Sequence, residues 1–160
     1  MAEPAHRIVD EPLAGKAAKP TPVILLVDDD EMTRISMAGR LKRLGYRVIE
    51  ADDGVAGLAA IRAQRPDLVI LDWMMPGLDG PSVCEAIRAD GELRSSQVVL
   101  MTAHDQPEQI AEGLSRGADD FLSKAASKQE VLARVQASLR SNALVREIER
   151  TRDDLDRSHR

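Results

Sequence analysis

Ile24-Leu25-Leu26-Val27-Asp28-Asp29-Asp30-Glu31 is the stretch from which the rest of the chain can be read. Four aliphatic residues without polar alternation are the pattern of a strand covered on both faces, and the four acids put charge at its carboxyl end. Pro20 and Pro22 hold extended backbone just ahead of it, so order is expected to begin near Val23. Similar short runs recur at 47–50, 68–71, 98–101 and 120–123. Between them, 32–44, 54–64, 81–89 and 107–116 carry apolar residues three and four apart, with Gly45, Pro66, Gly91 and Gly117 marking their ends. This βα rhythm predicts an α/β fold, an open five-stranded parallel sheet with right-handed crossovers and helices on both faces.

The 160 residues allow one ordinary domain with a modest extension. Apolar residues make up 43% and aromatics 2%, so aliphatic side chains must fill the core and a base-stacking surface is excluded. A formal net charge of -5 disfavours nonspecific binding to nucleic acid or anionic membrane. Cys84 is the single cysteine and the first twenty residues hold no continuous apolar core, so a cytoplasmic protein is expected. Residues 1–20 read as a flexible leader, 21–140 as the domain and 141–160 as an extension of the last helix. That helix, expected over 127–156, would span about 45 Å, so its second half should leave the domain. Leu132, Val135, Leu139, Val145, Ile148 and Leu155 form a weak coiled-coil seam, interrupted by Ser141 and Asn142; a solvated tail is the plainer alternative. Its interleaved acids and arginines give no basic recognition helix, so no direct nucleic-acid contact and no membrane partner are expected.

In an open parallel sheet the carboxyl ends of the strands share one edge, where ligands bind. The third run ends in Asp72, the fourth in Thr102 and the fifth in Lys124. Each alone has a plain explanation: acids after a strand cap the next helix, Asp72 could form a turn before Pro76 and Gly77, Thr102 could be an N-cap and Lys124 a surface charge. Their joint placement points to a site. Asp28, Asp29 and Asp72 would repel one another without a cation, and hard oxygen ligands favour Mg²⁺, with Mn²⁺ as the alternative ion. Lys124 and Thr102 could hold phosphoryl oxygens, and a free Asp72 carboxylate could attack phosphorus.

Val27-Asp28-Asp29-Asp30, Leu71-Asp72-Trp73-Met74-Met75-Pro76-Gly77-Leu78-Asp79-Gly80, Met101-Thr102-Ala103 and Phe121-Leu122-Ser123-Lys124 resemble the receiver domain of bacterial two-component response regulators. The resemblance covers about 22–139. It implies a flavodoxin-like sheet of order 2-1-3-4-5, and a phosphoryl group accepted by Asp72 from a histidine kinase or a histidine phosphotransfer protein. It further implies Asp29 as a direct Mg²⁺ ligand, Asp28 as a ligand acting mainly through water, and Asp72 with the main-chain carbonyl of Met74 completing the set. Thr102 and Phe121 match the pair that reorients after phosphorylation. Met74 and His104 match positions that tune phosphate lifetime. A homodimer is expected, through the last helices or the fourth-to-fifth-helix face.

Ala125 stands where the family usually has proline after the lysine. The Lys124–Ala125 bond is therefore expected to be trans, with Lys128 as a substitute cation if the loop runs differently. Two other readings stay open: a pseudo-receiver scaffold uncoupled from phosphorylation, and a regulatory fragment of a larger effector such as a diguanylate cyclase. A conventional enzyme is not expected, since a hydrolase with an aspartyl nucleophile would want a second acid nearby and Trp73 and Met74 offer none. Cys84 and Met37 read as core residues, and Trp73 as partly exposed beside the site.

Overall fold

Successive side chains of a strand point to opposite faces, so unbroken aliphatic runs must feed two cores. A computed structural model describes residues 20–103 and 106–159 and shows both. The strands are β1 (Val23–Val27), β2 (Arg47–Ala51), β3 (Leu68–Asp72), β4 (Val98–Thr102) and β5 (Asp120–Ser123). They alternate with α1 (Glu31–Arg43), α2 (Gly54–Gln64), α3 (Gly80–Ala89), α4 (Pro107–Ser115) and α5 (Lys128–Ser158). The sheet order is β2-β1-β3-β4-β5 and every pairing is parallel, the expected flavodoxin-like arrangement.

Leu25, Val27, Val69, Leu71 and Leu100 face α2 and α3, meeting Ile61, Val83, Cys84 and Ile87. Ile24, Leu26, Ile70, Val99 and Met101 face the other way, onto Met37 and Leu41 of α1 and Val131 and Val135 of α5. Cys84 and Met37 are core residues, as expected. At the far end of the sheet, Asp67 Oδ2 accepts the Val23 N–H at 2.7 Å and Asp119 Oδ2 accepts the Val98 N–H at 2.8 Å. These satisfy strand starts that would otherwise bury bare donors.

The expected leader lies outside the described residues except for Pro20. β2, β3 and β4 each run one residue further than their aliphatic runs, so Ala51, Asp72 and Thr102 are strand residues. The ladder carries on past the apolar side chains because main-chain bonds do: Trp73 N–H donates to Met101 O at 2.9 Å and Lys124 N–H to Thr102 O at 2.8 Å.

The last helix differs from the expected seam. α5 is 31 residues long, with no interruption at Ser141 or Asn142, and Ser127 caps it by accepting the Glu130 N–H at 3.1 Å. Val135 is buried in the core and Leu139 packs against it, so those two positions serve the sheet. The large apolar residues left exposed are Leu144, Ile148 and Leu155. The helix also keeps hold of the domain beyond 141: Asn142 is buried, and Arg146 pairs with Asp67 at 2.7 Å.

Candidate functional site

The acids after β1 divide by role. Asp30 is the N-cap of α1, its side chain accepting from the Thr33 amide at 3.2 Å and from the Thr33 hydroxyl, and Glu31 stands in the first turn. The capping explanation therefore holds for these two only. Asp28 turns inward and is fully buried, Oδ1 accepting the Asp30 N–H at 2.9 Å. Its Oδ2 has no hydrogen-bond partner among the described residues, with Lys124 Nζ 3.6 Å away. Asp29 is exposed.

Asp72, last in β3, is buried beside them. It does not form the turn that follows; Gly77, at φ +79°, and the α3 cap Asp79 do that. One carboxylate oxygen from each of Asp28, Asp29 and Asp72 lies within 4.8 Å of the others. Lys124 Nζ reaches Asp72 Oδ1 at 3.0 Å. Three acids thus face one lysine, a surplus of negative charge that a divalent cation could offset.

The Lys124–Ala125 bond is trans. Lys124 is aimed nonetheless, because Ser123 closes a tight turn: its hydroxyl accepts the Ala125 N–H at 3.1 Å and its carbonyl the Ala126 N–H at 3.0 Å. Lys128, in the first turn of α5, is exposed and no substitute is needed.

Burial pushes the Asp72 carboxyl up to about 7, with the Asp28 charge adding and Lys124 opposing. Burial also works against the Lys124 ammonium, but its bonds to Asp72 and the charge of Asp28 outweigh that and hold it above its ordinary value.

A family model described as the response regulator receiver domain matches residues 24–136. The chain belongs to this family. Response regulator MprA from Mycobacterium ulcerans is 43% identical over 121 residues, 76% of this chain and 51% of that protein. Transcriptional regulatory protein AfsQ1 from Streptomyces coelicolor is 40% identical over 119 residues, 74% of this chain and 52% of that one. The chain spans about half the length of these relatives. Among solved structures, the Francisella response regulator 1452 receiver domain aligns with TM-score 0.69 and 32% identity, covering 75% of this chain and 98% of that one. The BeF3-activated N-terminal receiver domain of Klebsiella pneumoniae RstA aligns with TM-score 0.68 and 30% identity, covering 74% and 98%. Response regulators pair with histidine kinases, and a receiver fits the part of the switch in such a two-component system.

In this receiver Thr102 is buried at the end of β4 and is a strand residue, so it is not the cap of α4; that position belongs to Gln106. Thr102, Trp73, Phe121, Ile110 and Gly113 meet in a small pocket between the sheet and α4. Trp73 is half-buried, as expected, with its ring edge against Gly113: a Cβ there would come within 2.8 Å of it. Phe121 is half-buried beneath the Arg134 guanidinium, 4.8 Å from the ring centroid. Met74 leaves its side chain 72% exposed in the loop after β3. His104 lies outside the described residues.

Two contributors carried no readable signal. Arg34 donates from Nη1 to the Asp28 carbonyl at 2.8 Å while pairing with Glu50 at 3.2 Å, tying α1 and β2 to the acidic loop. Gly80 lets α3 start against β3: a Cβ would stand 2.5 Å from Asp72 O and 2.8 Å from Leu100 Cδ2. The first is a long-range contact and the second a close approach, and a single sequence displays neither.

Proposed function

We propose that Asp72 accepts a phosphoryl group from a phosphohistidine on a histidine kinase or histidine phosphotransfer protein. The observation that carries this is the buried Asp72 carboxylate, 3.0 Å from Lys124 Nζ and within oxygen reach of Asp28 and Asp29. An Asp72 oxygen attacks phosphorus as the P–N bond to the imidazole breaks. The electron pair leaves on the imidazole nitrogen, which takes up a proton, and an acyl phosphate remains on Asp72. Lys124 pairs with one phosphoryl oxygen and the Thr102 hydroxyl with another. Hydrolysis of that acyl phosphate by water resets the domain, with Met74 and His104 as the residues that tune its lifetime. The protein is its own substrate and turns over no other.

Asp28, Asp29, Asp72 and the Met74 carbonyl would hold Mg²⁺, or Mn²⁺ in its place. The fit rests on an all-oxygen donor set with surplus negative charge, and on the buried Asp28 Oδ2, which has no hydrogen-bond partner among the described residues. Bound there, the ion supplies positive charge where carboxylate and phosphoryl oxygens crowd together.

The phosphorylated state draws Thr102 and Phe121 toward the site, which alters the α4–β5–α5 surface through the pocket they share with Trp73 and Gly113. That surface, or the extension at 141–160, passes the signal to a second copy of the chain or to an effector, without direct contact with nucleic acid. We take 21–140 as the receiver proper. The alternative reading is a regulatory fragment of a larger effector, such as a diguanylate cyclase. No described helix is long and apolar enough to cross a membrane, and we place the reaction in the cytoplasm. The seating of Lys124 speaks against a scaffold uncoupled from phosphorylation.

Intact mass after incubation with Mg²⁺ and acetyl phosphate tests the reading. One phosphoryl adduct, absent from Asp72→Asn, is expected; an adduct that survives in that variant, or none on folded wild type, would overturn it.

A further inference from the structure

We propose that α5 pairs with the α5 of a second copy as a parallel, in-register coiled coil over residues 141–158, while its opposite face stays on its own receiver. The exposed apolar residues Leu144, Ile148 and Leu155 fall at spacings of four and seven, the seam of a heptad with Ile148 and Leu155 at a and Leu144 at d. A β-branched residue at a with leucine at d favours two parallel strands.

Three observations make this seam a place for a second copy. The first is that the helix has two separate jobs on two separate faces. In this heptad Asn142, Ala143, Arg146, Glu149, Arg150 and Asp153 take positions b, c and f, and all six line the groove against the receiver's own Pro22 and Asp67. Arg146, at f, is the anchor, pairing with Asp67 at 2.7 Å and donating to Pro66 O at 3.2 Å. The a and d positions point away from that contact, which leaves the seam free to meet a partner while the receiver stays seated.

The second is that the polar residues in the seam are already satisfied. Ser141 at a donates to Ala137 O at 3.2 Å, Thr151 at d to Glu147 O at 3.0 Å, and Ser158 at d to Leu155 O at 2.8 Å. Each hydroxyl spends its donor on its own helix, so closing the seam strands none.

The third is charge. Glu147 takes position g and Arg152 position e of the next heptad, the pair that meets across a parallel in-register dimer, twice by symmetry. Neither side chain is ion-paired within its own chain among the described residues. A partner of unlike sequence would have to reproduce both the apolar spacing and this complement; a second copy supplies them automatically.

The proposal deepens the self-association named under the switch reading. Sedimentation of the full chain, with and without Mg²⁺ and acetyl phosphate, is expected to show a dimer in at least one condition. Leu144→Asp with Ile148→Asp should weaken it by more than about a hundredfold, and Glu147→Arg should weaken it by a smaller factor that Glu147→Arg/Arg152→Glu restores. Oxidised L144C should link two chains, whereas a mixture of L144C and L155C should give no mixed disulfide. A monomer in every condition would overturn the proposal. So would a dimer indifferent to Leu144→Asp/Ile148→Asp, which would locate self-association on another face, and so would a mixed disulfide, which would make the pair antiparallel. All these positions are exposed on the single chain, so circular dichroism should show the receiver fold unchanged in every variant, and the Asp72 adduct measured on the same samples reports separately whether the phosphoacceptor reading stands.

Discussion

Replacing Asp72 by asparagine should stabilise the metal-free domain, although it removes the residue at the centre of the site. The side chain is buried beside Asp28, and its carboxyl is raised from 3.8 to about 7, first by burial and then by the Asp28 charge. A carboxyl with a raised folded-state pKa binds its proton more tightly in the native protein than in the unfolded chain. Its contribution is therefore fully present below pH 3.8 and is lost as the pH rises through about 7. At about 1.4 kcal/mol for each tenfold change in proton affinity, the span from 3.8 to about 7 corresponds to about 4 kcal/mol of destabilisation at pH 8. Asparagine keeps the shape and discards the charge, but gives up the charge-assisted bond from Lys124 at 3.0 Å, so a net gain of about 2 kcal/mol is expected. In a domain of this size that is about 8 °C in melting temperature. The assay is thermal and urea unfolding of both proteins in EDTA at pH 8 and pH 5.5, repeated at pH 8 with Mg²⁺. The wild-type penalty should shrink by about 2 kcal/mol at the lower pH, where Asp72 is mostly protonated in the fold, so the variant's advantage should nearly vanish there. Mg²⁺ should stabilise wild type more than the variant. A variant that is no more stable at pH 8 without metal, or an advantage that does not shrink on acidification, would refute the claim that buried charge at Asp72 sets the stability of the empty site.

Other substitutions separate the remaining parts. Lys124→Ala removes the cation that opposes protonation of Asp72, so the Asp72 carboxyl should titrate above 7, read by side-chain carboxyl NMR, and the acetyl phosphate adduct should form more slowly. Gly80→Ala should destabilise the domain by about 2–3 kcal/mol in urea unfolding, since its methyl would meet Asp72 O, a backbone atom, at 2.5 Å. Arg146→Ala should cost only about 1 kcal/mol, because the Asp67 pair is half-exposed, yet hydrogen exchange should quicken along α5 beyond residue 143 while the Asp72 adduct is unchanged.

The sheet was legible because its signal is redundant. Each of Leu25, Leu26, Val69, Ile70 and Leu100 is buried on a central strand, and a strand covered on both faces has to spell itself in aliphatic residues. The acidic pair, Asp72, Thr102 and Lys124 were legible for a related reason: the carboxyl ends of parallel strands share an edge, so naming the strands brings those residues together. What escaped was whatever depends on distance in space. Nothing local to Arg34 announces that it will hold the Asp28 carbonyl, and nothing around Gly80 announces the approach of Asp72 O. Ala125 looked like a threat to the lysine only because the turn was imagined without the Ser123 hydroxyl that shapes it.

The long helix shows how one periodicity can serve two masters. Val131, Val135 and Leu139 repeat at four residues because they cover the sheet at β3 and β5; Leu144, Ile148 and Leu155 carry an apolar repeat onward on a face that is exposed. From sequence the two halves merge into one imperfect stripe, and the break at Ser141–Asn142 looks like a fault in it. In the structure that break is the place where the buried face changes hands. Asn142 goes under the domain and Arg146 reaches Asp67, at the start of the strand whose other end is Asp72. β3 thus ties the anchor of the extension to the candidate phosphoacceptor through five residues of backbone that is buried on both faces. An arrangement at the Asp72 end that shifted β3 along its length would have to strain or release the Arg146 contact, because a strand packed on both sides transmits displacement instead of absorbing it.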